Sequence, residues 1–176
     1  MIIIGCSRGI HLAERTAKKL KSPYSRLIVK KFPDGELYVR FLDQVNGKNV
    51  VLVQSFYNNI NECIIEVLFA AETAKDLGAK KVTLVAPYFP YLRQDKRFKK
   101  GEAISQRIIA GLMDEYFDAI YIIDPHLHRE NKLEHIFRTT AEKLTANALI
   151  ADYIKKNIKD PIIIGPDEES YKWAKN

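Results

Sequence analysis

The stretch that decides the fold is residues 82–95, which read VTLVAPYFPYLRQD. Its first four residues form a mostly apolar, β-branched run, which is typical of a strand buried on both faces of a parallel sheet. Two prolines, three aromatic rings and several polar side chains then follow within ten residues. A buried strand that passes directly into a rigid polar loop indicates an α/β sheet with a ligand site at the strand's carboxyl end.

Short apolar runs of the same kind recur along the chain. The six strand-like runs are residues 2–4, 27–29, 50–53, 82–85, 119–123 and 162–164. Between them, apolar side chains spaced three and four residues apart indicate helices, as at Ile10, Ala13 and Ala17. Strands that alternate with helices predict an α/β fold, in which a mostly parallel sheet carries helices on both faces.

The segment 32–42 departs from this alternation. It opens with the sequence FPDGE, which is turn chemistry, and Leu37, Val39 and Phe41 then alternate with polar neighbours. A turn followed by a period of two predicts a hairpin or flap added to the sheet.

The composition excludes several classes of protein. A chain of 176 residues with 47% hydrophobic residues has enough apolar side chains for a core, which argues against intrinsic disorder. Its apolar runs are too short to span a bilayer, so we expect no membrane association. Cys6 and Cys63 are too few for a disulfide framework, and they are typical of reduced core residues in a cytoplasmic protein.

The charge balance suggests an anionic partner. Lys and Arg number 28 against 22 Asp and Glu, which gives a formal net charge of +6. Nucleic acid, a membrane surface or a phosphorylated small molecule would each fit that charge. No Walker loop, GxGxxG, HExxH or serine-elbow motif occurs, so the common NTPase, dinucleotide-binding and hydrolase classes lack their markers. The loop after the first strand, residues 5–9, is either a tight turn or a contact for an anion through its backbone N–H groups.

Three predicted strands end in dense polar clusters, residues 87–97, 124–129 and 165–170, where open α/β sheets bind ligands. In the first cluster, Arg93 offers a planar guanidinium that binds phosphate oxygens two at a time. The nearby rings of Tyr88, Phe89 and Tyr91 are placed to stack on a base. The alternative is a solvated basic loop whose aromatic rings pack beneath it.

The other two clusters suit a metal ion. If the chain is extended there, Asp124, His126 and His128 present their side chains on one side, at a spacing that suits a metal. Asp167 is a hard oxygen ligand of the kind that Mg²⁺ prefers. The spacing leaves structural alternatives open, with His126 as a hydrogen-bonding residue beside an exposed His128 and Asp167 as a helix N-cap.

Several of these motifs, taken in order, resemble the amino-terminal portion of the ribose-phosphate diphosphokinase (PRPP synthase) family. The matching pieces are residues 32–36, 78–83, 87–95, 101–105, 124–126 and 165–167. The run 87–95 is specific by itself, and the ordered set covers essentially the whole chain. The resemblance implies a phosphoribosyltransferase-like domain over residues 1–140, with its flap near 32–42, and the start of a second, similar domain over 141–176 that is cut short.

The resemblance also implies an activity: transfer of the diphosphoryl group of ATP to the C1 hydroxyl of ribose 5-phosphate, giving PRPP and AMP, with Mg²⁺ as cofactor. It implies a homo-oligomer, dimer or hexamer, in which the flap completes the ATP site of a neighbouring subunit. By matching positions, the ATP-binding residues are Phe32, Asp34, Gly35, Glu36, Arg93, Gln94 and Asp95. The implied catalytic residues are Arg93 and His126, and the implied metal residues are His126 and Asp167.

The chain departs from the family's pattern in three places. Residues 127–131 are polar where the family is rich in aromatic residues, and Arg107 stands where the family tends to have lysine. The family's flexible-loop lysine and ribose-phosphate loop lie beyond Asn176, so we expect that this polypeptide does not turn over unaided.

Two other functions compete with the enzyme. One is a catalytically silent regulatory subunit of the same family, and the other is an RNA-binding module that uses the basic, aromatic loop 88–100. The presence of phosphate and metal residues together favours the enzyme, so we expect no nucleic-acid partner.

Overall fold

The computed structural model describes residues 1–127, 132–165 and 170 of the chain. In chain order, the elements are β1 (Ile2–Gly5), α1 (Ile10–Leu20), β2 (Tyr24–Lys31), β3 (Leu37–Phe41), β4 (Asn49–Val53), α2 (Ile60–Asp76), β5 (Lys81–Ala86), α3 (Ser105–Tyr116), β6 (Ala119–Ile123), a 3₁₀ helix (Leu133–His135), β7 (Thr140–Leu144) and α4 (Asn147–Asn157). The chain forms two compact units, Met1–Lys143 and Leu144–Asn176. The boundary predicted between residues 140 and 141 stays a prediction.

The strands form one seven-stranded sheet in the order β3-β2-β1-β4-β5-β6-β7. Strand β1 runs parallel to β2 and to β4, β4 runs parallel to β5, β5 runs parallel to β6, and β3 runs antiparallel to β2. The predicted α/β fold with a mostly parallel sheet is therefore confirmed. The chain leaves β1 for β2 on one side and later returns to β4 on the other, so the strand order switches between β1 and β4. In sheets of this kind, the switch point opens a crevice beyond the carboxyl ends of the strands.

Helices cover both faces of the sheet, and the alternation of side chains in β1 shows how. Ile2 and Ile4 belong to a large buried cluster that includes side chains of α2 and α3. Ile3 points to the opposite face, where it packs with Ala13 and Ala17 of α1. Because successive side chains of a strand point to opposite faces, a strand that is apolar throughout needs a helix on each side.

The predicted hairpin is formed by β2 and β3. The N–H of Phe32 donates to the carbonyl of Glu36 over 2.8 Å, and the N–H of Gly35 donates back to the carbonyl of Phe32 over 2.9 Å. Gly35 has a φ of 95°, a backbone conformation that residues other than glycine rarely adopt. The FPDGE sequence thus makes the turn because glycine stands at its left-handed position.

One predicted strand is wrong. Residues 162–164 form no strand, and their three isoleucines are exposed, Ile162 to 86% of its surface. A strand exists only through backbone hydrogen bonds to a neighbouring strand, and the described residues after β7 include none that would supply them. A short apolar run does not reveal whether such a partner is present.

Two expectations from the composition can be compared with the structure. Cys6 and Cys63 are buried free thiols, as predicted for core residues. Among the described residues, no helix combines the length and the apolar character needed to cross a membrane.

Candidate active site

A cavity of about 600 Å³ opens at the carboxyl ends of β5 and β6. It is lined by Ile60, Tyr88, Phe89, Tyr91, Leu92, Arg93, Gln94, Ser105, Ile123, Asp124, Pro125 and His126. The cavity therefore brings together Arg93, Gln94 and His126, three of the residues that the sequence suggested, from two different loops. Ile60 was not singled out from the sequence, and Ser105 was noted only as the last residue of the matching piece 101–105.

The loop after β5 is held in place from both sides. The Nε2 of Gln106, a residue of α3 that is 8% exposed, donates to the carbonyl of Leu92 over 3.2 Å. The N–H of Gln106 also donates to the carbonyl of Gln94 over 3.3 Å, and the N–H of Phe56 donates to the carbonyl of Tyr88 over 3.0 Å. These bonds satisfy the loop's backbone and fix the chain that presents Arg93, so little ordering is left for a ligand to impose.

The three rings of this loop differ in environment. Phe89 is 4% exposed and packs between Phe56 and Phe137, so the prediction that it stacks on a base is wrong and it serves the core instead. Tyr88 and Tyr91 line the cavity and are 42% and 37% exposed. Two of the three predicted rings are thus available to a ligand.

Tyr91 is held in an unusual backbone conformation. Its φ is 60°, in the left-handed region, which costs a non-glycine residue on the order of 1 kcal/mol. The hydroxyl of Tyr91 donates to Oδ1 of Asn61 on α2 over 2.5 Å. This bond ties the loop to a second helix and offsets part of the strain.

The predicted metal residues are only partly described. Asp124 and His126 both line the cavity, but Asp124 has a φ of 43°, so the segment turns there and is not extended as the sequence argument assumed. Within residues 1–127, 132–165 and 170, no group of three or more His, Cys, Asp or Glu is placed to hold a metal. His128 and Asp167 lie outside these ranges, so the metal pair of His126 and Asp167 stays a prediction.

The turn of the hairpin does not line this cavity. Phe32 is 49% exposed and meets Tyr38 edge to face, with ring centroids 6.0 Å apart. The N–H of Glu36 donates to Oδ1 of Asp34 over 3.2 Å, which closes the turn around Gly35. The predicted ATP-binding residues therefore lie in two places within one chain, with residues 32–36 in the hairpin turn and Arg93 and Gln94 at the cavity. Asp95 follows Gln94 in the sequence but does not line the cavity.

The sequence argument missed a buried carboxylate at the switch point. Glu66 of α2 is 2% exposed, and its oxygens accept from the N–H of Ser7 (2.7 Å), the hydroxyl of Ser7 (2.5 Å) and Nε2 of Gln54 (3.0 Å). Oε1 of Gln54 in turn accepts from the N–H of Arg8 over 2.8 Å. Burial raises the pKa of Glu66, while the hydrogen bonds from Ser7 and Gln54 act in the opposite direction.

These hydrogen bonds distinguish between the two interpretations of the loop after β1, residues 5–9. The N–H groups of Ser7 and Arg8 donate to side chains of the same chain, so they form a tight turn around an internal carboxylate. The sequence did carry one signal, because Glu66 lies in α2 among the buried residues Ile64, Val67 and Leu68. A charged residue on a buried helical stripe requires partners of this kind.

Comparison with known proteins identifies the relatives of this chain. A family model described as the N-terminal domain of ribose phosphate pyrophosphokinase matches residues 1–116. Ribose-phosphate pyrophosphokinases of Methanothermobacter thermautotrophicus and Pyrococcus furiosus are 44% and 36% identical to it, and each alignment covers 99% of this chain and 60% of the relative. The crystal structure of phosphoribosylpyrophosphate synthetase from Mycobacterium smegmatis superposes with a TM-score of 0.84 at 28% identity, covering 99% of this chain and 59% of that one. The chain thus spans about 60% of the length of the curated relatives that it matches.

Proposed function

The chain belongs to the ribose-phosphate pyrophosphokinase family, and from that premise we propose that the protein transfers the β,γ-diphosphoryl group of ATP to the C1 hydroxyl of ribose 5-phosphate. The products are PRPP and AMP, and the setting is nucleotide biosynthesis in the cytoplasm. The observation that carries this proposal is the convergence of Arg93, Gln94 and His126 in one cavity at the ends of β5 and β6.

The cavity has the size and lining that a nucleotide needs. Its volume of about 600 Å³ lies in the usual range for small-molecule sites. Exposed faces of Tyr88 and Tyr91 offer stacking surface for a base, and the guanidinium of Arg93 binds two phosphate oxygens at once. The amide of Gln94 supplies both a donor and an acceptor beside it.

In the proposed reaction, the C1 hydroxyl oxygen forms a bond to the β-phosphorus while the bond from that phosphorus to the bridging oxygen of AMP breaks. The hydroxyl proton is released, and AMP leaves with the electron pair of the broken bond. Little covalent chemistry falls to the protein, so positioning and charge neutralisation dominate. Arg93 serves both purposes, because it fixes the phosphate chain and balances its negative charge.

The residues at the cavity fit Mg²⁺ as the cofactor. Proteins usually hold Mg²⁺ through one or two carboxylates together with water and substrate phosphates, so a cluster of three protein ligands is not needed. Asp124 supplies a carboxylate at the cavity, and Asp167 is the second that the resemblance implies. When bound, Mg²⁺ neutralises charge on the phosphates. His126 would contact the ion through water or would contact the phosphates directly, because Mg²⁺ prefers oxygen to imidazole nitrogen.

The position of the hairpin turn is compatible with a homo-oligomer. Phe32, Asp34, Gly35 and Glu36 lie in an exposed turn outside the chain's own cavity. In the proposed homo-oligomer, a dimer or hexamer, this turn reaches the adenine of the nucleotide in a neighbouring subunit. Phe32 is 49% exposed, so its ring is available to a ligand outside its own chain.

The direct test of the activity is ³¹P NMR of the full-length protein with ATP, ribose 5-phosphate and Mg²⁺. We expect the signals of ATP to be replaced by those of AMP and of a diphosphate linked to C1. A sample without ribose 5-phosphate is the control and should retain its ATP. Formation of ADP in place of AMP would contradict the proposed reaction.

Replacement of His126 tests the metal contact. We expect His126→Ala to raise the Mg²⁺ concentration needed for half-maximal turnover by about 10- to 100-fold, as the loss of residues that orient a metal site typically does. His11→Ala, which removes an exposed imidazole from α1, is the matched control and should change nothing. The proposed contact is wrong if His126→Ala leaves both the Mg²⁺ dependence and the turnover of the enzyme unaltered.

A further inference from the structure

The loop after β5 turns at Tyr91. Phe89 and Leu92, on either side of it, are 4% and 3% exposed and belong to the large buried cluster. Tyr91 itself is 37% exposed and has a φ of 60°. The left-handed residue turns the chain between the two buried side chains, so that both reach the core while Arg93 lines the cavity.

Tyrosine is not a residue type that favours this backbone conformation. Apart from glycine, the residues that adopt it are mostly Asn, Asp and His, because a short polar side chain tolerates it. A larger residue is held there only where its surroundings determine the conformation, and such positions cluster at ligand sites. The contacts of Tyr91 therefore decide whether the loop keeps the shape that presents Arg93 and Gln94 to the cavity.

The hydroxyl of Tyr91 meets the first turn of α2. It donates to Oδ1 of Asn61 over 2.5 Å, at the short end of the range for such bonds. Asn58 and Asn59, which lead into α2, also have positive φ values, 49° and 47°. The helix that follows them places Ile60 in the lining of the cavity and Asn61 against the loop. The bond therefore joins two turns of the chain beside the cavity.

The helix does not account for asparagine at position 61. The N-cap of α2 is Asn59, and no side chain makes a capping hydrogen bond at this helix start. Alanine is a better helix former than asparagine. Asn61 is exposed, so its side chain does not serve the core either. Its contact with Tyr91 is the role that the structure gives it.

We propose that Asn61 is a positioning residue for the nucleotide: by accepting the hydroxyl of Tyr91, it holds the loop in the conformation that presents Arg93 and Gln94 to the cavity. Without this bond, a fraction of the molecules relaxes to an ordinary backbone conformation at Tyr91 and turns Arg93 away from the cavity. ATP then binds only the remaining fraction, and its apparent affinity falls in proportion. The inference rests on the proposed function and adds to it a residue that does not itself line the cavity.

Two substitutions remove the bond from either end in the full-length enzyme. Asn61→Ala removes the acceptor, and Tyr91→Phe removes the donor but keeps the ring that is available for stacking. Each should raise the KM for ATP about three- to tenfold, the equivalent of one hydrogen bond, and leave kcat nearly unchanged because saturating ATP restores the loop. Tyr57→Phe removes the hydroxyl of a tyrosine that is 48% exposed and outside the cavity, so it is the matched control.

A double-mutant cycle tests whether the two residues act through each other. The variant that carries both Asn61→Ala and Tyr91→Phe should have the same KM for ATP as either single variant, because each substitution removes the same bond. Multiplied effects in the double variant would show that the two side chains act independently, and the proposed positioning role would be wrong.

Thermal unfolding separates positioning from a structural role. Asn61→Ala should unfold at the same temperature as the unsubstituted protein or slightly above it, because alanine favours the helix. If Asn61 served only the fold, its replacement would lower the unfolding temperature and leave the KM for ATP of the folded enzyme unchanged. Far-ultraviolet circular dichroism during heating measures the first quantity, and initial rates of AMP formation measure the second.

Equilibrium titration with a non-hydrolysable ATP analogue separates the inference from the proposed function. A weaker affinity in both single variants, by the same factor as the rise in KM, supports the inference. Unchanged affinity in both variants of an active enzyme overturns it and leaves the proposed function intact. If the unsubstituted protein binds the analogue but makes no PRPP, the proposed function fails, and titration of the variants still decides the role of Asn61. A protein that binds no analogue contradicts both.

Discussion

Replacing Arg93 by alanine should lower kcat/KM for ATP by roughly 10³-fold in the full-length enzyme. Arginines that stabilise a transferring phosphoryl group contribute effects of that size, because they balance charge that develops in the transition state. Arg93 is exposed on its loop, and the loop itself is fixed by the bonds from Gln106 and Phe56. The substitution should therefore leave the folded structure and its thermal unfolding unchanged. Initial rates of AMP formation over a range of ATP concentrations measure the effect.

Two variants control for this result. Arg93→Lys keeps the charge and loses the planar fork, so it should recover only part of the rate. Arg15→Ala removes an exposed arginine from α1, away from the cavity, and should behave as the unsubstituted enzyme. If Arg93→Ala retained most of its activity, the cavity at β5 and β6 would not be where the phosphates are bound.

Replacing Gly9 by alanine should reduce the free energy of unfolding by about 3 kcal/mol or more, the upper range for overpacking. A Cβ at Gly9 would lie 1.8 Å from the carbonyl oxygen of Val53 and 2.5 Å from its carbon. That carbonyl belongs to β4 and already accepts the N–H of Cys6 over 3.0 Å. The Val53 carbonyl cannot move away without lengthening its hydrogen bond to Cys6, which joins β4 to the loop after β1. Urea unfolding followed by far-ultraviolet circular dichroism measures the change.

Gly111→Ala is the matched control for the same chemical change. Gly111 lies within α3, and a Cβ there would meet nothing within 4 Å. Alanine should stabilise the protein by about 0.5–1 kcal/mol, because glycine is a poor helix former. Similar small effects of the two substitutions would show that the backbone of Gly9 and the Val53 carbonyl of β4 can separate enough to accept a methyl group.

Local patterns in the sequence were sufficient for most of the fold. Periods of two and of three to four residues identify the strands and helices, and the left-handed Gly35 explains why the FPDGE turn could be recognised. The cavity could also be anticipated, because ligands bind beyond the carboxyl ends of parallel strands and Arg93 and His126 follow two neighbouring ones.

The features that the sequence did not reveal depend on distant partners. Glu66 meets Ser7, 59 residues away, and no local pattern connects the two. Phe89 belongs to the core through Phe56 and Phe137, although its neighbours in sequence line the cavity. The isoleucine run 162–164 has the composition of a strand, and only the presence of a pairing strand would have made it one.

The carboxylate of Glu66 has a consequence for the loop after β1. A phosphate or sulfate ion in the place of this carboxylate would be bound only in proportion to its concentration. The conformation of the loop would then depend on the concentration of that anion. A side chain that is covalently part of the chain is present at a constant, high effective concentration under every condition. The N–H groups of Ser7 and Arg8 are therefore satisfied by side chains of the chain itself, and the conformation of this loop does not require a bound anion.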